Sequence, residues 1–214
     1  MLYLINQNGE TSIISNRDPA TVTKCVIAPS TKSGWRIADR TDYCDGLIPA
    51  SVGLAAGEVV SVTGKSVLVM SIMGDTRGVT SFLGARANRN IDWYKQFVSV
   101  DTDNAIVVTW SKVQDDVPAF CQLVTATLRQ EDPVGLLPNT KYLVYIPFGS
   151  SSGDLATGPY YLTMMGISQR SYVNYEIARM DRVVIGTVSC QVDELDPIIM
   201  DGILRLQCSE DTRL

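Results

Sequence analysis

The chain has 214 residues, 45% of them hydrophobic and 19% charged, which suits one large globular domain or two small ones and excludes a disordered chain. A net charge of −5 excludes a protein that wraps nucleic acid, since phosphate binding needs surplus Lys and Arg on one face; a pore that lets DNA pass remains compatible. With no histidine anywhere, the familiar Ser–His and Cys–His catalytic arrangements are excluded outright.

The N-terminal "MLYLINQNGE" lacks a basic segment, and its apolar run is too short for a signal peptide. No stretch of 18 apolar residues exists to span a membrane as a helix. Cys25, Cys44, Cys121, Cys190 and Cys208 show no CxxC spacing. They read as reduced, core-filling thiols made in a cytosol, and neither a disulfide framework nor a zinc set is expected. "ADRTDYCDG" sets Asp39, Asp42 and Asp45 three apart, without the alternate carboxylates and distal Glu of a calcium loop, and reads as a solvated loop.

The first strong element is "GEVVSVTGKSVLVMSI" (Gly57–Ile72), two β-branched runs around Gly64, the pattern of a hairpin. Its "TGKS" ends like a phosphate loop, but Val59 stands where that loop needs glycine, and a strand follows where it needs a helix. "VTSFLGARAN" supplies a third strand. "GARANRNIDWYK" (Gly84–Lys95) is the one basic stretch, with Arg86, Arg89 and Lys95 near Trp93 and Tyr94, candidates for a DNA channel or contact.

Next, "QFVSV", the polar cluster "VDTDN" and "NAIVVTW" predict a hairpin over Gln96–Trp110, with Ile106, Val108 and Trp110 on one face. The pairs Asp115–Asp116 and Glu131–Asp132 are read as turn decoration rather than acid–base machinery. "QLVTATLRQ" and "KYLVYIP" are expected strands. "YVNYEIARM" places Val173, Ile177 and Met180 at helical spacing and predicts one short helix. "MDRVVIGTVSCQVDEL" (Met180–Leu195) then repeats the first hairpin around Gly186. "GILRLQCSED" follows as a half-buried strand, with Leu204, Leu206 and Cys208 on one side and Arg205 and Gln207 on the other. The expected fold is mainly β with little helix: two small barrel- or meander-like modules related by an internal pseudo-repeat, residues 1–98 and 99–214.

Three segments carry a resemblance. "SVLVMSIMGDTRGVTSFLGARANRNIDW" (Ser66–Trp93) resembles the strand–turn–strand segment of tailed-bacteriophage head–tail connector (neck) proteins, the matching residues being Leu68–Ile72, Asn88 or Asn90, and Ile91–Asp92. Asp115–Pro147 is similar to that family's proline-led strand and "GLL-TTKY" turn. Asp181–Arg213 is similar to its "DRVV-G" hairpin, "VD-ID" bend and "GLL-LQ-SED" strand. Together these cover roughly two thirds of the chain, and they are structural turns and strands rather than catalytic residues. The resemblance leads one to expect a short link between "KYLVYIP" and "DRVVIG". This chain instead inserts an arm over 148–179, with a Gly/Ser-rich start.

The resemblance implies a virion protein assembled in the host bacterial cytoplasm. It would form a homo-oligomeric ring that joins the portal or adaptor to tail proteins, while packaged double-stranded DNA passes through its lumen without sequence-specific binding. No enzyme activity, cofactor, metal or membrane partner is implied. Tyr160, Tyr161, Leu162, Met164 and Met165 in the inserted arm are the candidate subunit-interface residues, because aromatics and Met are enriched at interface cores. The alternative is a tail-associated or surface β-domain that binds carbohydrate or a host receptor, with "GPYYL" (Gly158–Leu162) as its platform.

Overall fold

In most of the strands apolar and polar residues alternate, but three runs are apolar on both sides, and those runs organise the molecule. The computed structural model describes residues 5, 7–14, 17–18, 20–30, 43–125, 135–147, 171–172, 177–200 and 203–213. The arm residues Tyr160, Tyr161, Leu162, Met164 and Met165, and Asp39, Asp42, Glu131, Asp132 and Val173, lie outside the described residues.

The strands are β1 (Glu10–Ile14), β2 (Arg17–Asp18), β3 (Thr21–Pro29), β4 (Tyr43–Pro49), β5 (Val59–Val62), β6 (Lys65–Thr76) and β7 (Val79–Arg86). They continue with β8 (Arg89–Val100), β9 (Ile106–Leu123), β10 (Tyr142–Pro147), β11 (Ser171–Tyr172), β12 (Arg182–Ile185), β13 (Val188–Met200) and β14 (Ile203–Glu210). A 3-10 turn, Ala50–Val52, follows β4. The chain is therefore mainly β, in two modules.

Each module is a closed antiparallel barrel, β1-β3-β4-β7-β6-β5 and β8-β9-β10-β14-β13-β12. In both, the strands run round the barrel in the order first, second, third, sixth, fifth, fourth, so the last three form a meander closed against the first three. The changeover between barrels comes at Ala87–Asn88, where Ala87 N–H still donates to Ser66 O and Asn88 N–H donates to Ala119 O. The boundary expected at residue 98 thus falls within β8.

The duplication reaches individual residues. Val62 faces Lys65 across the turn Thr63–Gly64, and Ile185 faces Val188 across Gly186–Thr187. Thr63 and Gly64 both have positive φ, the I′ pattern; Gly186 alone does in the second turn, the II′ pattern. Each hairpin therefore needs its glycine, but at a different turn position. Five residues further along, Val69 N–H donates to Glu58 O and accepts Gly57 N–H on its own carbonyl; Val192 does the same with Asp181 and Met180. A bulge then follows in each, Val69/Ser71 against β7 and Val192/Glu194 against β14.

The three unbroken runs are explained by what covers their outer faces. In β6, Val67 and Val69 fill the first barrel, whereas Leu68 and Met70 point outward into a second cluster with Tyr43, Val59 and Ala85. From the other barrel Phe120, Leu143, Tyr145 and Ile203 join that cluster, while Val144, Ile146, Leu204 and Leu206 fill its own core. Phe120 meets Tyr43 edge-on at 5.8 Å and Tyr145 at 5.7 Å. The barrels are thus fused through apolar side chains.

Two expectations need correction. No helix carries Ile177 and Met180: Ile177 is buried in the second barrel, and Met180 is exposed with φ 72 in the turn that precedes β12. The requirement of that turn for a left-handed residue overrode the helical spacing. The outer face of β14 is also buried rather than solvated. Gln207 accepts from Leu137 N–H at 2.8 Å and Thr140 Oγ1 at 3.0 Å, and Arg205 Nη2 pairs with Asp196 at 2.9 Å. These polar residues are enclosed because each has partners under the 135–140 loop and β13.

Candidate functional site

The predicted hairpin over Gln96–Trp110 forms, and it is the upper part of a longer ribbon. β12 pairs with β8 only from Ile91 to Tyr94, and β10 pairs with β9 only from Phe120 to Leu123. From Lys95↔Ser111 to Val100↔Ile106, β8 and β9 pair with each other alone. At about 3.4 Å per residue the ribbon extends the two strands by roughly 20 Å. Its tip is set by Asp101, whose Oδ1 accepts Asp103 N–H at 2.8 Å and Ala105 N–H at 3.0 Å.

The ribbon's two faces differ. Cross-strand partners share a face. The register therefore groups Val98 with Val108 and Val100 with Ile106 on one side, in line with Trp110. Their exposures are 63%, 41%, 63% and 73%, an apolar quartet left in water. The other face carries Phe97, Ser99, Val107 and Thr109. A two-stranded ribbon with an uncovered apolar face is marginal by itself.

Its root is held firmly. Arg182 stacks on Trp110 at 4.0 Å and Arg213 at 4.8 Å from the ring centroid. Asp211 joins both guanidiniums, at 2.6 Å from Arg182 Nε and 2.8 Å from Arg213 Nε. Burial opposes its charge, but Arg213 and Arg182 outweigh that and hold the carboxyl down at about 2. At the adjoining bulge, Asp92 of β8 accepts from Lys112 Nζ at 2.7 Å and from Asp116 N–H at 3.2 Å. Asp115 and Asp116 are exposed, the latter at φ 52 where β9 bulges against β8.

The three basic candidates do not converge. Arg86 ends β7 beside Val67, at the mouth of the first barrel. Arg89 begins β8, exposed, and donates from Nη1 to Asn88 O at 3.1 Å. Lys95 lies six residues further along β8, with Nζ 5.2 Å from the Trp93 ring. Six strand residues separate Arg89 and Lys95 by about 20 Å. The stretch that looks basic in sequence is therefore distributed over two barrels and over the start and middle of β8.

At the mouth of the first barrel the interior is open. A cavity of about 300 Å³ is lined by Cys25, Val62, Val67, Lys65, Arg86 and Glu10, among others. Thr63 Oγ1 donates to Glu10 Oε2 on its rim. Cys44, beneath this end of the barrel, is pushed up to about 11 by burial, and in the second barrel burial takes Cys121 to about 12. All five cysteines are free thiols. Among the described residues no group of three or more Cys, Asp or Glu is placed to share a metal ion, and no helix is long and apolar enough to cross a membrane.

Two features escaped the sequence. Strand alternation marks Val98, Val108 and Ile106 as one face, but it is the same signal whether that face is covered or bare. The cavity is lined from β1, β3, β5, β6 and β7, strands whose neighbourhood is known only from the register. Comparison with protein-family models, curated proteins and solved structures finds no match.

Proposed function

We propose that the chain is a structural subunit of a tailed-phage neck, a ring-forming connector between the portal vertex and the tail through which packaged DNA passes. The observation that carries the reading is the bare apolar quartet on the β8–β9 ribbon. A side-by-side copy is its occupant: a ribbon with free edges and an apolar face gains both backbone partners and cover when it lies on another subunit. A head-to-tail contact of this kind closes into a ring when the rotation per subunit divides a full turn. Fusion of the two barrels makes each subunit a stiff block, which suits a load-bearing ring. The residue likeness to neck proteins in Ser66–Trp93, Asp115–Pro147 and Asp181–Arg213 supports the same assignment, and a net charge of −5 suits a lumen that does not hold DNA.

The test is size. Purified protein at assembly concentration should sediment as a ring, and V98D/I106D should remain a folded monomer by circular dichroism. The paired change puts a charge on each strand of the exposed face without entering either barrel. A wild-type chain that stays monomeric, or a double variant that assembles normally, rejects the role given to the ribbon. Recovery of the protein from virions by mass spectrometry tests the neck assignment separately.

A further inference from the structure

The duplicated barrels differ most sharply at one end, and the difference is chemical. Aligning the two by their meanders places Val67↔Arg86 on Cys190↔Glu210, and Cys44↔Gly84 on Tyr142↔Cys208. In the second barrel Tyr142 and Cys208 fill the space inside the mouth, and Glu210 is neutralised by Lys141. In the first, the corresponding residues are Cys44 and Gly84, and a cavity lined by Val67 and Arg86 opens at that end. Arg86 stands where Glu210 stands, and neither Arg86 nor Lys65 forms an ion pair with a described residue. Gly84 makes room for one wall of the cavity: a Cβ there would lie 2.4 Å from Cγ1 of Val67, a lining residue, and 3.4 Å from Cys44 Sγ. One copy of the fold is plugged and internally neutralised; the other is hollow and rimmed with positive charge.

We infer that the mouth of the first barrel binds a small organic anion, a single carboxylate carried on a compact apolar body. The floor selects the body: Cys25, Val62 and Val67 present only methyl and thiol surface. The rim selects the charge. Arg86 and Lys65 carry two positive charges, and Glu10, already engaged by Thr63, returns one. One net positive charge matches a monoanion better than a phosphate dianion, and the planar guanidinium matches a carboxylate in two-point geometry. At about 30 Å³ for each water-sized atom, the cavity takes a ligand of roughly ten non-hydrogen atoms.

The experiment titrates the full-length, 15N-labelled chain with benzoate and with hexanoate, and in parallel with benzamide and inorganic phosphate, following backbone amide shifts. Either carboxylate should saturate shifts at Val26, Thr63 and Arg86 with a Kd on the order of 1 mM. Benzamide, which lacks the charge, and phosphate, which lacks the apolar body, should bind at least about tenfold more weakly. R86Q should weaken the carboxylate about tenfold while leaving the spectrum otherwise unchanged. G84C, which forces the Val67 side chain out of its place in the cavity wall, should abolish binding; if it fails to fold, R86Q decides. The inference is overturned if neither carboxylate saturates by roughly ten times that Kd. It is equally overturned if benzamide or phosphate matches them, or if R86Q binds as the wild type does.

Discussion

Glu58 and Asp181 occupy the same point of the two barrels. Each carboxylate accepts the backbone N–H of the residue three before it, Ala55 at 2.9 Å and Ala178 at 2.8 Å. Each returns its own N–H to that residue's carbonyl, at 3.3 Å in both cases. The residue just before each acid carries the positive φ, Gly57 at 83° and Met180 at 72°, and an apolar anchor precedes the turn, Leu54 or Ile177. Both acids are nearly sealed, at 0% and 6% exposure. The turn that launches each meander is thus locked by a buried acid.

Removing that acid should cost the barrel. Asp181→Ala strands one buried donor, Trp93 Nε1–H, bonded to Asp181 Oδ2 at 2.8 Å, and removes the bond from the more exposed Ala178 N–H. At about 1–3 kcal/mol for an unsatisfied buried group, the loss in urea-measured stability should be about 1–3 kcal/mol. Glu58→Ala should cost about 1–3 kcal/mol by the same mechanism. Trp93 emission gives a local readout for Asp181→Ala alone. A change below about 0.5 kcal/mol in either variant would show that the lock is dispensable.

A second prediction uses the pairing of Gly46 with Phe82. A Cβ at Gly46 would sit 2.1 Å from Phe82 Cζ, so the ring occupies the space a side chain would need. The corresponding positions of the other barrel are Val144 and Leu206, paired in register and both buried. The first barrel has therefore moved volume from one wall to the opposite strand. Gly46→Val alone should destabilise by about 3 kcal/mol or abolish folding. Adding Phe82→Leu should recover at least about 1 kcal/mol, a favourable coupling that additive single effects cannot give. Chemical denaturation of the three variants measures it, and a double variant no better than Gly46→Val would count against the equivalence of the barrels.

These pairs show what sequence can and cannot carry. The repeated "VV", glycine and apolar run made the two meanders legible, because period-two alternation and a turn glycine are local signals. The Gly57/Met180 correspondence was not legible: Met is an unusual left-handed residue, and "YVNYEIARM" read as a helix around it. Nor was the inter-barrel seam. Leu68, Met70, Leu143 and Tyr145 gave unbroken apolar runs, but only the topology says that their outer faces meet each other. Closure of each barrel depends on β1 against β5 and β8 against β12, long-range pairings with no local signature. The bare ribbon face and the open mouth share that origin, since exposure and emptiness are properties of what is not packed nearby.

Acid should reveal the ribbon's anchor. The Asp211 carboxyl, held at about 2 against an ordinary 3.8, is depressed in the folded chain. Its contribution to stability is therefore complete above about 3.8 and is lost as pH falls through about 2. Asp181, raised by burial, has the opposite sign: what it adds is present below 3.8 and fades as pH rises through its folded value. Stability measured across this window should fall less steeply with acid in Asp211→Asn than in the wild type, from a lower starting value at neutral pH. Trp110, stacked under Arg182 and Arg213, should lose quenching or shift its emission in the same variant. A profile identical to that of the wild type would mean the triad contributes nothing to the folded state.

The connection from third to fourth strand differs most in length between the barrels. The first barrel crosses from β4 to β5 with residues 50–58, whereas the second uses residues 148–181 to join β10 to β12. Both routes end on the same acid-locked turn, at Ala55–Glu58 and Ala178–Asp181, so the first barrel demonstrates that the shorter span closes this topology. Replacing residues 148–176 with a five-residue linker should therefore leave the second barrel folded. The shorter loop lowers closure entropy by about 1 kcal/mol. Against that stands loss of the ladder Ser171↔Asp18 and Tyr172↔Arg17, which ties β11 to β2. Net stability by urea denaturation should stay within about 1 kcal/mol of the wild type. The Trp93 environment, set by Asp181 beyond the deletion, should be unchanged. In the ring reading proposed above, the same deletion removes Tyr160, Tyr161, Leu162, Met164 and Met165 and should block assembly of an otherwise folded monomer. A deletion that unfolds the second barrel would show that the long connection is part of its architecture. A folded deletion that still assembles would leave the β8–β9 ribbon as the contact that holds copies together.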